Sequence, residues 1–305
     1  MQQLAPLALF VYNRPQHTLR TLESLLQNEL APKSKLYIFS DGPKTAQDEQ
    51  KVAEVREIIH RVTGFHSIEI IEREKNAGLA NSIIAGVSRL VQEYGQVIVF
   101  EDDLITSPHT ISYFNKALDR YREVEQVMHI GSYMFPIQTE NLPETFFFRA
   151  ATSWGWATWE RAWKHFEPNI DILIEQFDEE KKHAFSIDSS MNYWKQIQEF
   201  KSGKNNSWAI RWYASIFMKN GLTLNPSHSL VRNIGHDGTG VHSGLNDIYE
   251  VAIHQHPISQ FPEILEENKE AYEALKNYFA NRKGSLLDRL KRVIIMKWHQ
   301  FFKKK

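Results

Sequence analysis

Val97-Ile98-Val99-Phe100 runs directly into three carboxylates, Glu101-Asp102-Asp103, and then into Leu104-Ile105-Thr106-Ser107-Pro108. A run this apolar, rich in β-branched residues and entered through Gly95, predicts a strand buried on both faces. Carboxylates at the carboxyl end of such a strand lie in the crevice where open α/β sheets bind ligands. Three like charges packed together repel one another, so the cluster calls for a counter-cation. Hard oxygen ligands suit Mn2+ or Mg2+, ions able to neutralise a diphosphate.

The residues before this run repeat the same alternation. Leu7 to Tyr12 reads as an apolar strand stopped by Asn13-Arg14-Pro15, and Thr18 to Leu26 shows helical spacing. Leu36 to Phe39 is a second strand, closed by the turn signal Ser40-Asp41-Gly42-Pro43. A polar helix over about 46–61, a strand around 68–71 and a helix opened by Asn76-Ala77-Gly78 follow. This alternation predicts an α/β chain with a mostly parallel, Rossmann-like sheet and helices on both faces. In such a sheet Asn13, Arg14, Asp41, Asn76 and the triplet share one edge. Arg14 has the fork geometry to grip a diphosphate, and Asp41 suits a nucleobase N–H or a ribose hydroxyl. There is no Walker loop and no Gly-x-Gly-x-x-Gly, so metal and arginine must serve the phosphates instead.

The formal charge of −1 shows no basic excess, which argues against a nucleic-acid partner. The absence of Cys excludes disulfides and thiolate chemistry. The start Met1-Gln2-Gln3 carries no secretion signal, and no run is long enough to span a bilayer, so a cytoplasmic protein is expected.

Phe10 to Pro15, Ser40-Asp41-Gly42, Asn76 to Ala80 and Val97 to Asp103 together resemble nucleotide-sugar glycosyltransferases of the GT-A fold. The likeness is to bacterial family-2-like sugar transferases and, more distantly, to the animal N-acetylglucosaminyltransferase I group, which shares Glu-Asp-Asp as its form of the Asp-x-Asp motif. It extends through Trp154 to Trp163 and through 208–242. The resemblance implies transfer of a hexosyl or N-acetylhexosaminyl group from a UDP-linked donor to a glycan hydroxyl. It implies metal binding by Asp103, donor contacts from Glu101 and Asp102, uracil contact from Asp41 and diphosphate contact from Arg14. The animal group carries its base in a Trp-Asp-Asp-Trp segment, where this chain has Trp208-Ala209-Ile210-Arg211.

A replacement base is available in the Gly-rich stretch 233–242, where Asp237 is placed to deprotonate an acceptor hydroxyl. His236 or His242 is a candidate further metal ligand. Trp156, Trp159 and Trp163 recur at three-and-four spacing, which predicts one helical face. Apolar sugar faces stack on aromatic rings, so Trp154 and Trp156 flanking Gly155 form a candidate acceptor platform.

The expected layout is a GT-A domain over 1–262, with a nucleotide-sugar half (1–107) and an acceptor half (108–262). A basic helical tail follows over 263–305. Within the tail, Leu286, Leu290, Ile294, Trp298, Phe301 and Phe302 interleave with Arg289, Lys291, Arg292, Lys297 and the terminal lysines. That pattern predicts an amphipathic helix lying peripherally on the inner, anionic membrane surface, beside a lipid-linked glycan acceptor. The rival readings are a sugar-nucleotidyltransferase, which would need a Gly-rich basic loop after the first strand, and a non-catalytic carbohydrate-binding protein.

Overall fold

β1 (Leu7–Val11), β2 (Lys35–Ser40), β3 (Ser67–Glu72) and β4 (Gln96–Glu101) pair in parallel, in the order β3-β2-β1-β4, in the computed structural model. The structure describes residues 4–236 and 249–281. The crossovers are α1 (Pro15–Leu26), α2 (Glu49–Arg61) and α3 (Leu79–Tyr94). Pro15 sits in the first turn of α1, where a missing N–H costs nothing, and Gly95 ends α3 with a left-handed φ of 74°. β1 and the interior of β4 are buried throughout. Each large aliphatic removed from water there contributes about 1.5–3 kcal/mol, which is why the apolar runs lie at the centre of the sheet.

After β4 the chain turns sharply. β5 (Leu104–Thr106) leaves the main sheet and pairs antiparallel with β10 (Val231–Asn233). Between them lie α4 (Thr110–Arg120), β6 (Val127–Gly131), β7 (Thr145–Phe148), β8 (Trp156–Trp159), α5 (Glu160–Trp163), α6 (Ile170–Glu175), α7 (Glu179–Phe185), α8 (Tyr193–Lys201), α9 (Trp208–Met218) and β9 (Leu222–Pro226). β8 joins β4 in antiparallel register, and the full order is β3-β2-β1-β4-β8-β6-β9-β7. The result is the α/β architecture expected, parallel through the first half and mixed in the second. It is consistent with the GT-A arrangement.

The tryptophans take a different form from the predicted helical face. Trp156 and Trp159 lie in β8 and only Trp163 is helical, because four residues of Trp-Ala-Thr-Trp complete the sheet between β4 and β6. Trp156 is fully buried, stacked on Trp208 at 5.0 Å and on His129 at 5.4 Å. It therefore offers no face to an acceptor, and that expectation is corrected.

The chain after Pro262 packs against β7 and the helices beside it. Asn268 donates its N–H to the Phe147 carbonyl on β7, and Arg149 holds Glu267 through a forked contact. α10 (Lys269–Asn281) then buries Ala271, Leu275 and Phe279 in a second apolar cluster with Phe146, Phe148, Tyr213 and Phe185. The amphipathic stretch from 285 onwards lies outside the described residues.

Candidate active site

The carboxylate triplet stands where the sequence puts it, at the exit of β4 and the turn into β5. Tyr12 at the end of β1 donates its backbone N–H to Asp102 Oδ2 at 3.4 Å. The Thr21 hydroxyl donates to the Asp102 carbonyl at 2.9 Å and accepts the Leu104 N–H at 3.1 Å, which fixes the turn from the α1 side.

Of the three carboxylates in the triplet, Asp103 gathers the most contacts among the described residues. Arg14 Nη1 donates to its Oδ2 at 3.0 Å, an ion pair with both side chains largely buried. Asn233 Nδ2 donates to its Oδ1 at 3.2 Å, and its backbone carbonyl accepts the Ile234 N–H at 2.8 Å. Arg14 Nη2 contacts His17 Nε2 at 2.8 Å and donates to the Gly235 carbonyl at 3.4 Å. The β5–β10 ladder is what brings this distant segment to the turn.

Concentrated negative charge shows in the acidities. Burial first, then Asp103 and Asp102, push the Glu101 carboxyl well above the usual carboxylate range. Burial and Asp103 push Asp102 up to about 7, with Arg14 pulling the other way. The cluster thus wants positive charge, and its donors are hard oxygens, so the residues fit Mn2+ or Mg2+. Among the described residues, no group of three or more acidic or histidine side chains is already arranged to hold a metal. The fit is to an ion that brings further oxygen ligands of its own, as Mg2+ does when bound by one or two carboxylates and a phosphate.

A second knot lies beside the first, at the ends of β2 and β3. Asp41 Oδ1 accepts the N–H of Gly42 at 3.0 Å and of Ala77 at 2.9 Å, and its Oδ2 accepts that of Gly78 at 2.9 Å. Asn76 Nδ2 donates to the Gly42 carbonyl at 2.8 Å. Asp41 therefore anchors the loop that leads into α3. Asn13 Nδ2 donates to Asp48 Oδ1 at 2.7 Å, and the Tyr12 hydroxyl accepts the Lys44 N–H at 3.0 Å. These contacts join the loop after β2 to the loop after β1, so both knots border one edge of the sheet.

Half-buried Trp154 packs edge-on against His236 at 5.2 Å and against Tyr133 at 4.5 Å. His236 also stacks on Tyr249 at 5.5 Å. Among the described residues, the buried His236 Nε2 has no hydrogen-bond partner. Gly155 has a left-handed φ of 68° and a Cβ there would overlap Ser132 Oγ, so this glycine serves the turn into β8. Asp237 and His242 lie outside the described residues. α9 buries Trp208, Ile210 and Arg211.

Sequence reasoning missed Asn233, Ile234, Gly235 and His17 as members of this site. The signal for 233–235 was the Gly-rich stretch, read only for its later residues. His17 lies three residues after Arg14, a helical spacing that places the two together, but the spacing alone says nothing about chemistry.

Three comparisons bear on the chain. A mannosyltransferase from Pyrobaculum calidifontis, in complex with GDP-Man and Mn2+, matches over 72% of this chain and 72% of its own, at 10% identity and a TM-score of 0.41. Mouse xyloside xylosyltransferase 1 in its apo form matches over 70% of this chain and 80% of its own, at 12% identity and a TM-score of 0.37. S. aureus TarS, residues 1–349, matches over 50% of this chain and 47% of its own, at 12% identity and a TM-score of 0.35. Comparison with curated proteins gives no significant match. The model of glycosyl transferase family 2 matches residues 8–170, from the first residues of β1 through β4, the carboxylate turn and β8. With more than half of the chain covered, this protein belongs to glycosyl transferase family 2.

Proposed function

We propose that this glycosyltransferase moves a hexosyl or N-acetylhexosaminyl group from a UDP-linked donor to a hydroxyl of a glycan. The observation that supports the reading most is the Arg14–Asp103 pair at 3.0 Å. It sets a diphosphate-gripping fork beside a carboxylate turn at the ligand edge of the sheet.

Each residue then has a task. Asp103, with Asp102 beside it, holds the divalent ion, and His236 or His242 adds a ligand from the other side of the site. Arg14 takes the diphosphate oxygens by its fork. Glu101 and Asp102 face the donor sugar and ribose. Asn13, Asp41 and Asn76 shape the loops against which the base lies, Asp41 by fixing the backbone of 76–78. A bound Mn2+ or Mg2+ stabilises charge on the departing diphosphate. On the acceptor side Trp154 offers a half-buried ring for the apolar face of a sugar, with Gly155 fixing its backbone. Asp237 takes the proton from the attacking hydroxyl.

Among the described residues no helix is long and apolar enough to cross a membrane. The stretch from 285 to 305 would instead dock peripherally on an anionic surface, bringing a cytoplasmic enzyme to a lipid-linked acceptor. A panel of nucleotide sugars assayed for hydrolysis and transfer, with Mn2+ and with chelator, tests the reading. Metal-dependent release of a nucleoside diphosphate is expected, and no turnover of any donor would refute it.

A further inference from the structure

The formal charge of −1 hides a division along the chain. The 24 residues after Asn281 hold nine of the 36 Lys and Arg but one of the 37 Asp and Glu, so they carry +8 and the residues before them −9. Part of that acidity stands on an apolar groove. Where the chain over 262–270 runs beside the edge strand β7, a groove of about 390 Å3 is lined by Phe147 and Pro262 and by the exposed Glu263, Glu266 and Glu270. Ile264, also in its lining, is 72% exposed, more than any other large apolar side chain among the described residues. Apolar surface left open and edged by charge marks a contact site, and acids at its edge select a basic partner.

We propose that this groove is the docking site of the chain's own residues 285–305. Their sequence has both properties the groove selects, since Leu286, Leu290, Trp298 and Phe301 alternate with Arg and Lys. They are also within reach. α10 starts beside the groove at Lys269 and ends at Asn281, about 18 Å further along its axis. At the same rise per residue, 24 residues cover about 36 Å, enough to return, and Gly284 favours a reversal at the start. A short tether supplies an effective concentration of about 1 mM, so docking within one chain needs little intrinsic affinity. Exposed ion pairs are individually weak and screened, so it should fade in about 1 M salt, where the screening length is about 3 Å. The docking is independent of the donor reading. It shares with the membrane reading only the segment itself, for which groove and bilayer would compete.

The test uses the full chain, dilute and at low salt, as a mixture of isotopically light and heavy copies. Carbodiimide, which joins a carboxylate and an ammonium in contact, should link Glu266 or Glu270 to Lys297 or to the terminal lysines within one copy, and the yield should fall about fivefold or more in 1 M salt. Trypsin should cut between Arg289 and Lys297 about fivefold or more faster in Glu266→Lys/Glu270→Lys than in the wild type, and about twofold faster in Ile264→Ser. Glu54→Lys/Glu57→Lys on α2 makes the same charge change away from the groove and should leave cleavage unchanged. Absence of links from the groove acids to these lysines, links only between light and heavy copies, or equal cleavage in wild type and both groove variants would overturn the docking. So would a control that speeds cleavage as much as the groove reversal. Added phosphatidylserine vesicles should reduce the links within one copy. Their persistence would count against the membrane reading and leave the docking in place.

Discussion

The Asn233 side chain bridges two parts of the site, donating from Nδ2 to Asp103 Oδ1 at 3.2 Å while its Oδ1 accepts the Gly235 N–H at 2.7 Å. One amide thus sets both the carboxylate and the backbone that passes over it. The approach is so close that a Cβ on Gly235 would overlap Asp103 Oδ2 and lie 2.9 Å from Arg14 Nη1. Gly235→Ala should therefore separate Arg14 from Asp103, destabilise the protein by about 1–3 kcal/mol, and weaken Mn2+ binding in the presence of nucleotide at least tenfold. Thermal melts and Mn2+ titration check this. Unchanged values in both would mean that the segment yields freely and does not shape the site.

Asp237→Asn should lose transfer to acceptor by about 100-fold or more while keeping donor affinity, since a general base acts on the acceptor hydroxyl. Initial rates with and without acceptor, alongside nucleotide binding, separate the two effects. A fall in donor affinity that matches the fall in rate would make Asp237 a donor or metal contact instead.

Much of this site is legible in the sequence, and the reason is physical. β1, β2 and β4 are buried on both faces, so their sequences are continuous apolar runs, and the polar residues that end them mark the ligand edge. The Trp156–Trp159 segment was not legible. Its spacing fits a helix, and only the gap between β4 and β6 makes it a strand. Asp41 shows a different limit. Its position was clear, but not that its oxygens take three backbone N–H groups, because that depends on how the loop before α3 folds back. The role of 233–235 was hidden for a related reason. A residue 130 positions from Asp103 reaches it through a three-residue ladder that no local pattern announces.

Two buried groups give the metal-free protein opposite pH dependences. Asp102 titrates at about 7 in the folded chain against an ordinary 3.8, so between those values the folded state holds the extra proton and stability falls as pH rises. His129 is the reverse. Its Nδ1 accepts from Trp212 Nε1 at 3.1 Å and its Nε2 faces the Thr152 carbonyl at 3.0 Å, and burial pushes it down to about 3 from 6.5. Its contribution is full above pH 6.5 and is lost as pH falls from there towards 3. Asp102→Asn should remove the first slope and raise the melting temperature at pH 8 by a few degrees, about 1 kcal/mol. Melts of wild type and variant from pH 4 to 8 in chelator test this. A wild-type curve that Asp102→Asn does not flatten would contradict the assignment.

Deleting residues 285–305 should leave hydrolysis of a soluble donor within about twofold and remove binding to anionic vesicles at low salt, as expected of a basic amphipathic segment. Vesicle sedimentation with phosphatidylserine and with neutral lipid provides the measurement. Equal binding by the full-length and shortened chains would end the membrane proposal.

The central claim is that Asp103 holds the ion on which departure of the diphosphate depends. It is tested most directly by turnover of a nucleotide-sugar panel in Mn2+ by wild type and Asp103→Asn. The account predicts that the variant stays folded, shown by an unchanged circular dichroism spectrum, and that its metal-stimulated turnover of the preferred donor falls by about 100-fold to 1,000-fold. A folded Asp103→Asn with near-wild-type turnover in Mn2+ would contradict it.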